Sequence, residues 1–129
     1  MSGRTKTATV SAAPAKGPSS ARAKHIELEK PIQKVIEATN RGDTPELLNA
    51  FADDAVLIDS GRTFAGKEEI TQWNAQENIG TSNRLKVTDV RRSGYEVKVD
   101  VEVSGHGYNG PGVLSFLIDG DVVKRLAIT

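Results

Sequence analysis

The chain has no cysteine among its 129 residues, two histidines and only six aromatic side chains. Without cysteine there is no disulfide framework, no thiolate nucleophile and no cysteine-based zinc site. Two widely separated histidines, His25 and His106, do not make a histidine metal site, so no metal or other cofactor is expected. No apolar run approaches the roughly 20 residues that cross a bilayer. No membrane contact is expected, and the cytoplasm is the default compartment. Acidic residues are absent from the first 24 positions, which carry Arg4, Lys6, Lys16, Arg22 and Lys24. Because Lys+Arg and Asp+Glu each total 17, residues 25–129 are left with a net charge of −5. An acidic body argues against a nucleic-acid groove, which needs clustered cations to displace counterions.

The first 24 residues are rich in Ser, Thr, Ala, Gly and Pro and nearly devoid of large apolar side chains. Such a stretch cannot bury enough surface to offset its ordering entropy, and it reads as a disordered basic tail. Organelle transit peptides share this composition, but Pro14, Gly17 and Pro18 interrupt any amphipathic helix. A single folded domain is expected over 25–129, long enough to form a core.

Within that domain Leu28, Ile32, Val35, Ile36 and Thr39 recur at helical spacing, predicting a helix over about 27–41. Pro31 is comfortable only in a first turn, which moves the expected start toward Glu29 or Lys30. Gly42 supplies a left-handed stop. Thr44 is then expected to cap a second short helix, with Pro45 at its first position and Leu47, Leu48 and Phe51 as its buried stripe. Residues 55–59 alternate as a strand, and Gly61 turns the chain. A third helix is expected over about 67–78, with Ile70 and Trp73 on one face. From there the period switches to two, giving strands near 84–92, 95–104, 112–119 and 121–128. Three helices followed by an antiparallel meander predict an α+β domain, helices packed on one side of a curved, mostly antiparallel sheet. The 112–119 strand is apolar on both faces, with Leu114, Phe116 and Ile118 on one and Val113 and Leu117 on the other. A strand of that kind must be covered twice, which predicts a homodimer through the outer sheet face.

The segment from Asn40-Arg41-Gly42-Asp43 through Phe51-Ala52-Asp53-Asp54-Ala55-Val56-Leu57-Ile58-Asp59 resembles the start of the domain shared by nuclear transport factor 2-like proteins, ketosteroid isomerases and SnoaL-like polyketide cyclases. The resemblance extends over almost all of residues 26–129 and implies a cone-shaped, cystatin-like roll. In ketosteroid isomerases the catalytic base is the Asp ending the first strand of a similar segment, and Asp59 matches it. Their oxyanion hole uses a Tyr of the first helix and a protonated Asp of a late strand. Those two positions fall on Val35 and about Leu114, so both donors are missing. Because stabilising the developing oxyanion usually supplies the largest catalytic effect, steroid isomerisation by the same arrangement is not expected. SnoaL-like cyclases, as the resemblance implies, also rely on an acidic residue in an apolar pocket.

Asp59 is therefore the candidate general base. A strand-end carboxylate at the mouth of an apolar cone is partly desolvated, the usual means of fitting such a group for proton abstraction. The bland alternative is an Asp bonded to the turn at Gly61 or Arg62. Val35, Leu57, Phe64, Trp73, Leu114 and Phe116 are the candidate apolar wall. Trp73 is read equally as core filler beneath the third helix. Tyr108 is a candidate donor, while His106 falls in a competing Gly-rich turn. Asp53-Asp54 reads as a solvated helix-to-strand turn rather than a metal pair. Arg91-Arg92 ends an alternating strand, so the two guanidinium groups are expected to diverge. Two functions follow: an acid/base isomerase or cyclase acting on a small hydrophobic carbonyl compound, or a non-catalytic ligand-binding or dimerisation domain.

Overall fold

The computed structural model describes residues 26–129, and the basic segment read as disordered lies outside them. The first helix, α1 (Lys30–Arg41), starts with Pro31 in its first turn and stops at Gly42 in the left-handed region, φ 70°. Ile32, Val35, Ile36, Ala38 and Thr39 form its buried face. The cap of α2 (Thr44–Asn49) is Asp43, not Thr44: its carboxylate accepts the Glu46 amide at 3.2 Å. The strand β1 (Phe51–Asp59) then begins four residues earlier than alternation alone suggests. Phe51 thus belongs to the sheet rather than to the α2 stripe, and Asp53 and Asp54 lie in the strand rather than in a turn. There they meet separate lysines, Lys67 and Lys124.

A second strand, β2 (Arg62–Ala65), pairs back on β1 across a two-residue turn. Ser60 and Gly61 both take positive φ, 54° and 81°, as the tightest hairpins require. The third helix, α3 (Gly66–Glu77), thus follows a hairpin, and the three helices do not precede the sheet as one block. A short 3₁₀ turn over Ile79–Thr81 leads into β3 (Arg84–Ser93), β4 (Glu96–Ser104), β5 (Gly110–Asp119) and β6 (Val122–Ile128). These four strands form the expected antiparallel meander, and both of its tight two-residue loops place a glycine first, Gly94 and Gly120.

The sheet order is β2-β1-β6-β5-β4-β3, with β1 and β6 parallel, so the architecture is α+β with one mixed six-stranded sheet. Register shifts in β1, β3 and at the β5–β6 pair mark irregularities of the kind that bend a sheet. On the inner face Phe51, Leu57, Phe116, Val123 and Leu126 are essentially fully buried with Ile32, Leu47 and Ile70 of the helices. Arg91 and Arg92 diverge as the alternation predicts: Arg91 meets Asp100, and Arg92 forks onto Glu29. The Arg92 guanidinium hydrogen-bonded to Glu29 holds that carboxyl below the usual carboxylate range.

Gly80, in the 3₁₀ turn, is pressed against the last turns of α3. A Cβ there would collide with the Ala75 backbone carbonyl. Gly80→Ala is expected to cost about 1–3 kcal/mol, read as a lower urea midpoint with an unchanged slope.

Candidate functional site

The inner face does not close completely. A cavity of about 440 Å³ opens between α1, α3 and the sheet. Its apolar wall includes Val35 of α1, Trp73 of α3, Val101 of β4, Leu114 of β5 and Leu126 of β6. These residues are no more than 5% exposed, so they are contributed by the packed interior rather than by the surface. The outer margin is polar, with Ser60, Arg62, Gln76, Glu77 and Tyr108.

Asp59 reaches this cavity because of strand parity. Ala55, Leu57 and Asp59 alternate onto the inner face of β1, and Asp59 is the last residue before the turn, where the core gives way to the opening. Its side chain is 18% exposed. The Trp73 indole nitrogen donates to Asp59 Oδ2 at 2.9 Å. Ser60 Oγ lies 3.3 Å from Oδ1, and an Arg62 guanidinium nitrogen lies 3.7 Å from Oδ2. Asp59 is thus bonded both to its own turn and across to the helix. The indole bond fixes the carboxylate beside the cavity, while Arg62 is committed elsewhere. Both Arg62 terminal nitrogens donate to the two Glu77 oxygens at 2.5 Å, a forked pair. That fork holds the Glu77 carboxyl below its ordinary range and pushes the Arg62 guanidinium up.

The expected wall residues separate into two groups. Val35, Trp73 and Leu114 line the cavity. Leu57 and Phe116 are completely buried in the core and do not line it, because the helices pack directly onto the centre of the sheet. Phe64 packs at the core margin on β2, with the Arg62 guanidinium 5.6 Å from its ring centre. Tyr108 stands at the opening, 60% exposed, and its hydroxyl donates to the Pro111 carbonyl at 2.7 Å. The imidazole of His106 does not line the cavity, and its backbone amide donates to Thr81.

Sequence reasoning missed a buried polar cluster at the α1–α3 side of the cavity. Thr39, Asn74 and Asn78 are at most 4% exposed. Asn78 Nδ2 donates to Thr39 Oγ1 at 3.1 Å and to Asn74 Oδ1 at 3.0 Å, and Asn74 Nδ2 donates to Thr44 Oγ1 at 3.1 Å. Thr39 and Asn78 line the cavity. The available signal was Thr39 within an otherwise apolar helical stripe. Among the described residues no three His, Cys, Asp or Glu side chains gather as metal ligands, and no helix is long and apolar enough to cross a membrane.

A family model described as a SnoaL-like domain matches residues 32–125. Nothing among curated proteins matches the chain. Among solved structures, a provisionally assigned polyketide cyclase from Sinorhizobium meliloti is 27% identical, with a TM-score of 0.73 over 79% of this chain and 95% of that one. The Delta 5-3-ketosteroid isomerase from a Mycobacterium species is 17% identical, with a TM-score of 0.66 over 77% of this chain and 88% of that one. An uncharacterised cystatin-fold protein from Novosphingobium aromaticivorans is 19% identical, with a TM-score of 0.61 over 77% of this chain and 94% of that one. The last two likenesses concern the fold alone.

Proposed function

The chain belongs to the SnoaL-like domain family, and from that premise we propose that it binds a small hydrophobic carbonyl compound in this cavity and acts on it through Asp59. One observation carries the reading: a carboxylate held by the Trp73 indole at the edge of a largely apolar hollow. A positioned carboxylate beside an apolar pocket is what proton abstraction next to a carbonyl requires. The likeness to the Sinorhizobium protein favours cyclase chemistry on such a compound. Asp59 is the base in this proposal, Val35, Trp73 and Leu114 shape the pocket, and Tyr108 borders its mouth. Leu57 and Phe116 belong to the core beside the pocket and Phe64 to its margin.

The test is ligand-induced thermal stabilisation against a panel of bicyclic ketones and lactones. A compound at a hundred times its dissociation constant adds about 2.7 kcal/mol to the native state. If no member of the panel raises the melting temperature, the pocket reading is wrong.

A second reading, a ligand-binding or dimerisation domain without turnover, is favoured by the aliphatic side chains of Val35 and Leu114 where the related isomerases are expected to carry donors. Stabilisation without turnover by the wild-type protein would select it. For the homodimer, support comes from Val113 and Leu117, half-buried on the sheet face opposite Leu114 and Phe116. Leu117→Asp should then yield a monomer by sedimentation, and an unchanged sedimentation coefficient would remove the proposed interface.

A further inference from the structure

We propose that the Thr39 hydroxyl is the hydrogen-bond donor for the carbonyl oxygen of the bound compound, an assignment that rests on reading the cavity as a ligand pocket. Thr39 lies one helical turn beyond Val35 on the same face of α1, and both line the cavity. It is only 2% exposed. A threonine hydroxyl has one hydrogen to give and an oxygen that accepts. Here the accepting side is occupied, because Asn78 Nδ2 donates to Thr39 Oγ1 at 3.1 Å. The hydroxyl hydrogen must therefore turn away from Asn78.

Among the described residues that hydrogen has no protein acceptor. A helical threonine normally has one at hand, the carbonyl four residues back. Thr71 of α3 uses it, donating to the Lys67 carbonyl at 2.6 Å. Thr39 does not, and the cavity it borders has Val35, Leu114 and Leu126 among its apolar lining. A buried donor left without an acceptor is unfavourable, and burial makes a correctly placed partner worth more than it would be in water.

Asn78 cannot take over this role. Its amide nitrogen already serves both Thr39 and Asn74, and its oxygen lies 3.4 Å from Asn83 Nδ2. The cavity thus offers a donor on α1 and an acceptor, Asp59, on β1. That pairing suits a molecule with a carbonyl oxygen toward Thr39 and a removable proton toward Asp59. It also places a donor on the helix that lacks one at Val35.

The test compares two probes of nearly the same shape, α-tetralone and tetralin, one with a carbonyl and one without. Binding is read from the fluorescence of Trp73, the single tryptophan, which lines the cavity. The wild-type protein is expected to bind the ketone about three- to tenfold more tightly than the hydrocarbon, the worth of one hydrogen bond. Thr39→Val, which keeps the shape and removes the hydroxyl, should erase that preference while leaving tetralin affinity in place. Thr39→Ser should retain the preference. An undiminished ketone preference in Thr39→Val would overturn the assignment while leaving the pocket intact. Failure of both probes to bind the wild-type protein would overturn the assignment together with the pocket reading.

Discussion

Asp59→Asn is expected to lower turnover of a hydrophobic carbonyl substrate by about 10²- to 10⁴-fold, the usual worth of a positioned general base. The substitution is chosen because it spares the architecture. An asparagine oxygen can still accept from the Trp73 indole, so the bond now 2.9 Å long has a successor. Arg62 loses only a partner at 3.7 Å and keeps its fork onto Glu77. Melting temperature and ligand-induced stabilisation should therefore persist while kcat falls. Equal turnover by the variant and the wild-type protein would mean that Asp59 is a structural acceptor for the indole and its own turn.

The second large effect is on stability. Phe116→Ala is expected to cost about 3–5 kcal/mol, the range for removing an aromatic side chain from a packed interior. Phe116 is fully buried, with Val97 of β4 and Leu126 of β6 as its lateral partners. In a domain of this size that loss lowers the melting temperature by on the order of 20 °C, measurable by circular dichroism. Leu114, two residues earlier on the same face, supplies the control. It borders space that is already open, so its outer methyl groups have fewer neighbours to lose. Leu114→Ala should fall near the lower end of its class, about 2 kcal/mol. Similar losses per removed atom at both positions would indicate that the cavity wall is packed like the core.

That contrast also explains what could be read from the residues alone. The meander was legible because Val97, Val99 and Val101 alternate without interruption and Gly94 and Gly120 mark its tight loops. The end of α1 was legible because Gly42 suits a left-handed stop. Asp59 was legible as a strand end, and its inward direction followed from its parity with Leu57. The start of β1 was not, because Phe51 stands at helical spacing from Leu47 and Leu48, and period alone cannot separate the two assignments. The short β2 has too few residues for any period to emerge. Which apolar residues border a void depends on how closely two helices approach the sheet, so Leu114 and Phe116 look alike in sequence and differ in space. Thr39, Asn74 and Asn78 were hidden for a related reason: their hydrogen bonds tie the end of α3 to α1 at Thr39 and to α2 at Thr44, long-range pairings with no local signature.

If the Trp73–Asp59 bond borders a cavity that takes a ligand, the indole ¹⁵N–¹H resonance of Trp73 reports on it most directly. The chain has one tryptophan, so the spectrum contains one such signal. Titration with α-tetralone is predicted to move that signal saturably, and Asp59→Asn to displace it in the ligand-free protein. A resonance that stays fixed as the ketone is raised to its solubility limit would contradict the proposed ligand pocket.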